Sequence, residues 1–130
     1  MNSDKKDQIG KIGWIDLTVP DADKIKAFYQ SVVGWESAPV SMGDYDDYTM
    51  NQPDTENAVT GICHKRGGNA NLPSQWLIYI TVSDVDASAK TCVAQGGKIL
   101  IQPKNMGSYG RFCVIQDPAG AVAALFTPAE

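Results

Sequence analysis

Ile15-Asp16-Leu17-Thr18-Val19-Pro20-Asp21 returns later in the chain as Ile78-Tyr79-Ile80-Thr81-Val82-Ser83-Asp84. The step from Ile15 to Ile78, 63 residues, holds at every position of the two stretches. It goes on to carry Asp23 onto Asp86, Gly34 onto Gly97, Asp54 onto Asp117 and Ala58-Val59 onto Ala121-Val122. A register kept over that much of the chain indicates a duplicated module, and a repeat decides architecture before any single residue does.

Each copy reads as a strand followed by an amphipathic helix. In Ile12 to Val19, Ile15, Leu17 and Val19 alternate with Trp14, Asp16 and Thr18, so one face is purely apolar and the other mixed. The apolar face is expected to carry the helices. Asp21 then caps a helix with Ile25, Phe28, Tyr29 and Val32 at inward spacing, which ends at Gly34. Strands are expected at Trp35 to Val40, Tyr45 to Asn51 and Ala58 to His64, parted by Gly43-Asp44 and Pro53-Asp54. The second copy has a strand from Trp76 to Val82 and a helix capped by Asp84, with Val85, Ala89, Cys92 and Val93 inward and Gly96-Gly97 as its stop. Strands follow at Lys98 to Gln102, Gly110 to Gln116 and Ala121 to Thr127, the last two joined by the turn Asp117-Pro118-Ala119-Gly120. Pro103 to Tyr109 reads as a flap-like loop.

The resulting organisation is a flexible tail over 1–11 and one domain over 12–130, with module one at 12–64, a Gly/Asn/Pro-rich linker at 65–74 and module two at 75–128. At 130 residues the chain is one domain by length, and half of it is too small to bury much core alone. A net charge of -4 offers no basic face for phosphate contacts, so nucleic acid is not an expected partner. No run reaches the length of a membrane span, and the polar start carries no secretion signal. Three widely spaced cysteines, Cys63, Cys92 and Cys113, fit free thiols in a reducing compartment, so a cytoplasmic location is expected.

Two tandem βαβββ modules resemble the vicinal oxygen chelate superfamily, in its glyoxalase/bleomycin-resistance-like branch. The resemblance is carried by Gly13 to Asp21 with Ala27-Phe28-Tyr29 and Gly34-Trp35, by Trp76 to Val82 before Asp84-Val85-Asp86, and by Gly110-Arg111-Phe112 leading to Asp117-Pro118-Ala119-Gly120-Ala121. It implies an α+β fold in which the modules form a cupped mixed sheet with helices outside, a small molecule in the cup, and a homodimer. Metal enzymes of that superfamily place ligands on the first and last strand of each module. Those positions here are Trp14, Gly61, Leu77 and Ala124, none with a donor side chain. Neither a metal nor another cofactor is therefore expected.

Strand parity with that resemblance puts Trp14, Asp16, Thr18, Leu77, Tyr79, Thr81, Gly61, Cys63, Ala124 and Phe126 on the cup face, and by looser analogy Tyr48, Met50, Arg111 and Cys113. Such a lining suits a small, partly aromatic ligand, with Trp14, Tyr79 and Phe126 for stacking and Asp16, Thr18 and Arg111 orienting polar groups. The same residues could instead simply fill the interior. Asp16 needs a partner such as Arg111 or access to water; it is either a general base, an anchor for a cationic group, or half of an internal ion pair. An enzyme of lyase, isomerase or hydrolytic type with Asp16 as base and Arg111 or Tyr79 stabilising charge is the alternative, and a metal enzyme with displaced ligands such as Asp16 and Cys63 a further one. Tyr109 is placed to close over a ligand. His64, the only histidine, is out of phase with Cys63 and is expected to face away from the cup. Cys92 reads as core, and Asp44-Tyr45-Asp46-Asp47 as a solvated hairpin lacking the spaced ligands of a calcium loop.

Overall fold

The computed structural model describes residues 7–129. Its elements are β1 (Ile12–Val19), α1 (Ala22–Val33), β2 (Glu36–Ser41), β3 (Asp46–Asn51), β4 (Ala58–His64), a 3-10 turn (Gly67–Asn69), β5 (Trp76–Thr81), α2 (Val85–Ala94), β6 (Lys98–Asn105), β7 (Gly110–Gln116) and β8 (Val122–Pro128). This is βαβββ twice over, an α+β fold, as the repeat requires. The chain forms two compact units: Ile15–Trp76, here the N unit, and Leu77–Glu130 with the segment ending at Trp14, here the C unit.

In the N unit the strand order is β2-β3-β4-β1, and in the C unit β6-β7-β8-β5. First and last strands of each unit pair in parallel. Asp16, Leu17 and Thr18 lie against Gly61, Ile62 and Cys63 in one; Tyr79, Ile80 and Thr81 lie against Ala124, Leu125 and Phe126 in the other. Adding 63 to each residue of the first set gives the second, so the repeat extends to the hydrogen-bond register.

The apolar strand faces carry the helices. Leu17, Val19, Ala22, Met50 and Ile62 form the N unit core, with Ile25, Tyr29, Trp35, Tyr48 and Trp76 packed on it. Tyr29, Trp35 and Trp76 meet pairwise at 5.3 to 6.0 Å between ring centroids, and the Trp76 indole N–H donates to the Tyr29 hydroxyl. In the C unit, Val85, Ala89, Cys113 and Leu125 are joined by Ile80, Val82, Ile99 and Ile115. Asp21 and Asp84 cap α1 and α2 through the N–H groups of Lys24 and Ala87, and Gly34 ends α1 in the left-handed region with its N–H on the Gln30 carbonyl.

Several expectations need correcting. Phe28 and Val32 of α1 and Val93 of α2 are more than half exposed instead of inward. At 100° per residue Phe28 lies about 120° from the fully buried Ala22, and Val93 about 80° from Val85. The apolar stripe is narrower than the spacing suggested. Strand β6 runs on through Pro103 to Asn105, so the expected Pro103 to Tyr109 loop shrinks to a turn closed by the Met106 N–H on the Gly110 carbonyl and the Tyr109 N–H on the Met106 carbonyl. Of the expected tail, residues 1–6 lie outside the described residues. The rest is anchored: the Gly10 N–H donates to the Thr81 carbonyl at 2.7 Å, and the Thr81 N–H to the Lys11 carbonyl at 2.9 Å. No described helix is long and apolar enough to cross a membrane.

Candidate functional site

The C unit holds a cavity of about 570 Å³ lined by Gln8, Gly13, Trp14, Tyr79, Thr81, Met106, Tyr109, Phe126 and Pro128. Strand alternation builds it. On β5, Ile80 points to the helix side, which turns Tyr79 and Thr81 the other way. Parallel pairing sets Phe126 beside Thr81 and the small Ala124 beside Tyr79. The anchored segment contributes Gln8, Gly13 and Trp14 to the wall, and the turn contributes Met106 and Tyr109. Tyr109 is 76% exposed at the tip of that turn. Thr81 is buried, and its hydroxyl lies 3.4 Å from where a Gly13 Cβ would sit, so glycine there leaves the hydroxyl approachable.

Among the described residues, no carboxylate, ammonium, guanidinium, imidazole or thiol lines this cavity. Its polar side-chain groups are the Gln8 amide, the Thr81 hydroxyl, the Trp14 indole N–H and the two phenols; the rest is aromatic or aliphatic. Such a lining can bury a flat apolar body and orient it by a few hydrogen bonds. The residue set at the metal-ligand positions does not fit a metal: Trp14, Leu77 and Ala124 in the C unit and Gly61 in the N unit offer no oxygen, nitrogen or thiolate donor suited to an ion. Among the described residues no three His, Cys, Asp or Glu side chains converge.

The structure brings Trp14, Tyr79, Thr81, Tyr109 and Phe126 together around the cavity. Leu77, 3% exposed, is buried in the same unit but does not line it. In the N unit the register puts Asp16, Thr18, Gly61 and Cys63 on one face. Burial, then the carboxylates of Asp16 and Asp47, push the Cys63 thiol up to about 12, so it is held as the neutral thiol.

Tyr48, Met50, Arg111 and Cys113 lie on the opposite face from the one expected. Residues directly across an antiparallel pair share a face. Tyr48 is opposite Ile62, and Cys113 opposite Leu125, both helix-side residues. Met50 is fully buried in the N unit core. The Tyr48 hydroxyl donates to Asp23 of α1 at 2.5 Å, which, with burial, pushes the phenol up to about 12, and the Lys26 ammonium sits over its ring. Arg111 donates to both carboxylate oxygens of Asp86 on α2, at 2.8 and 3.0 Å, and to the Asn105 side-chain oxygen. That bond to Arg111 holds the Asp86 carboxyl below its ordinary value, and Asp86 raises Arg111. The guanidinium that the sequence offered to Asp16 is thus taken by a helix carboxylate. Arg111→Met is expected to leave ligand affinity in the cavity within about twofold, read by titration of the variant.

His64 turns toward α1, as its phase implied: its Nδ1 is 3.4 Å from Asp47 and its Nε2 4.0 Å from Asp23. Sequence reading missed Gln8, Gly13, Met106 and Pro128 as cavity residues. Gln8 lay in a stretch without periodicity, and Met106 was hidden in an overlong loop.

Residues 11–125 match the family model described as the Glyoxalase/Bleomycin resistance protein/Dioxygenase superfamily. The chain belongs to this superfamily. A putative glyoxylase, CFP32, of Mycobacterium bovis is 30% identical over 122 residues, covering 94% of this chain and 46% of that protein. The anthracycline biosynthesis protein DnrV of Streptomyces peucetius is 29% identical over 128 residues, covering 90% and 46%. This superfamily member thus spans about half the length of these curated relatives. Among solved structures, methylmalonyl-CoA epimerase of Streptomyces coelicolor aligns with a TM-score of 0.57 and 19% identity over 94% of this chain and 99% of that one. The Mn(II)-bound glyoxalase of Novosphingobium aromaticivorans gives 0.57 and 19% over 92% and 39%. Both share the fold with it.

Proposed function

We propose that the chain binds a small, flat aromatic molecule in the C unit cavity and needs no metal to do so. The observation that carries this reading is the lining itself: Trp14, Tyr79, Tyr109 and Phe126 around about 570 Å³, with no charged side chain and no His, Cys, Asp or Glu among the described lining residues. Aromatic rings supply large contact area at low entropic cost, and Gln8 and Thr81 supply direction. Similarity to a protein named for the biosynthesis of anthracyclines, which are flat polycyclic aromatics, supports the same ligand class.

Titration with 1,8-dihydroxyanthraquinone, read by indole fluorescence, tests it. Wild type is expected to bind and to be quenched. Trp14→Leu is expected to bind about 10- to 100-fold more weakly, the loss of one indole's burial. Most of the quenching should go with it, because Trp14 is the one tryptophan among the described lining residues. Absence of binding by wild type, or undiminished binding by a folded Trp14→Leu variant, overturns the proposal. Affinity should survive exhaustive chelation; affinity restored only by added Mn or Zn would overturn the metal-free part. A cytoplasmic homodimer completes the reading, and light scattering at the mass of one 14.0 kDa chain would contradict the dimer.

A further inference from the structure

Strand β6 meets β7 with two irregularities, between Ile99 and Ile101 and between Ile101 and Lys104. Each slip turns the following side chains to the other face. Ile99, opposite Ile115, is on the helix side; after the first slip Ile101 is opposite Val114, and after the second Lys104 is opposite Phe112. Phe112 is in turn opposite Phe126, and Phe126 lies beside Thr81. A row Lys104, Phe112, Phe126, Thr81 therefore crosses the cavity face of the C unit, and its last two members line the cavity. The two slips cancel, so Lys104, five residues on from Ile99, keeps the face that plain alternation gives it; the sequence hides it only because Pro103 to Tyr109 reads as a loop.

The Lys104 ammonium sits over the Phe112 ring, 5.6 Å from its centroid. The Phe112 ring is 6.5 Å from that of Tyr79, a cavity residue. Lys104 is exposed, and among the described residues no carboxylate pairs with it. Three of the four described acids of the C unit are engaged elsewhere: Asp86 by Arg111, Asp84 as the α2 cap, and Asp117 by the N–H groups of Ala119 and Ala121. A solvent-exposed ammonium resting on a ring face is held weakly compared with one hydrogen-bonded to an anion. Neighbouring strands are about 4.8 Å apart, so Lys104 starts about 10 Å from Phe126, and its flexible four-carbon stem shortens the gap.

We propose that Lys104 determines specificity: among flat aromatic molecules the cavity selects those bearing an acidic oxygen, a carboxylate or phenolate, on the edge toward β6 and β7. This rests on the cavity being an aromatic-binding site. The ring system lies against Trp14, Tyr79 and Phe126, and the acidic group draws the ammonium off Phe112 into a charge-assisted hydrogen bond.

Anthraquinone-2-carboxylate and anthraquinone-2-carboxamide, nearly equal in shape and different in charge, separate the two ideas. Wild type is expected to bind the carboxylate about 10-fold more tightly, with the preference shrinking as salt rises. Lys104→Met should abolish the preference without weakening carboxamide binding, Lys104→Arg should keep it, and Lys104→Glu should reverse it. Equal binding of both probes by wild type, or a preference that survives in Lys104→Met, overturns the role of Lys104 and leaves the cavity reading standing. Failure of both probes to bind overturns the cavity reading and this inference with it.

Discussion

Replacing Gly110 with alanine is expected to lower the melting temperature by roughly 10 °C, a loss of about 3 kcal/mol for a chain of this size. Gly110 opens β7 at φ 148°, a backbone conformation that L side chains rarely adopt. A Cβ there would lie 2.2 Å from the Thr127 carbonyl oxygen and 3.0 Å from both the Ala129 nitrogen and the Pro128 Cα. All three are backbone atoms, so no rotamer change can relieve the contact; the end of β8 must move off the start of β7. That movement strains the Gly110 and Pro128 pairing, the Ala129 N–H bond to the Tyr109 carbonyl and the Met106 N–H bond to the Gly110 carbonyl. Gly107, three residues earlier at φ 56°, provides the comparison. Nothing lies within 4 Å of its Cβ position, so Gly107→Ala should cost only about 1 kcal/mol of backbone strain. Thermal melts followed by circular dichroism separate the two variants; equal melting temperatures would refute the steric account. Because Met106, Tyr109 and Pro128 also line the cavity, Gly110→Ala should weaken ligand binding along with stability.

What could be read from the sequence, and what could not, divides along one physical line. Periodicity and repetition report which residues share a face within one strand. The 63-residue step therefore pointed to the two βαβββ modules and the helix-bearing faces of β1 and β5, while the pairing of Asp16 with Gly61 and of Tyr79 with Ala124 came only from the structure. Trp14, Tyr79, Thr81 and Phe126 followed from the same alternation. The face of a third strand depends instead on the register against its neighbour, and nothing in Asp46–Asn51 or Gly110–Gln116 announces that register. Tyr48, Met50 and Arg111 were accordingly assigned to the wrong side. Lys104 was missed for a different reason: the strand was expected to end at Gln102, whereas β6 runs on to Asn105. Gln8 enters the cavity through backbone bonds from Gly10 and Lys11 to Thr81, contacts without a side-chain signature.

Raising the pH from 8 to 11 is expected to destabilise the fold by about 3 kcal/mol, mainly through two thiols. Cys63 is pushed up to about 12, by burial first and then by Asp16 and Asp47; Cys113, fully buried, is pushed up to about 11 by burial, then by Cys92 and Asp86. In the unfolded chain both ionise near 9. Below that pH both states hold their protons, and the thiols give stability no slope. Above it the unfolded state releases protons that the folded state retains, so it binds fewer protons and stability falls as pH rises, until the folded pKa values are passed between 11 and 12. Each pH unit costs at most about 1.4 kcal/mol per thiol, and the solvent that reaches Cys63 reduces its share. The Tyr48 phenol, raised from 10 to about 12, acts in the same direction above pH 10. Lysine neutralisation overlaps this range, so the decisive comparison is Cys63→Ala against wild type. The variant starts less stable near pH 8, having lost a partly buried group, yet its stability should decline less steeply between pH 9 and 11. Parallel declines in denaturant-derived stability would refute the burial account of Cys63. A steeper decline in wild type would show that the Asp16 face of the N unit opposes a thiolate, which fits a packed thiol and not a nucleophile.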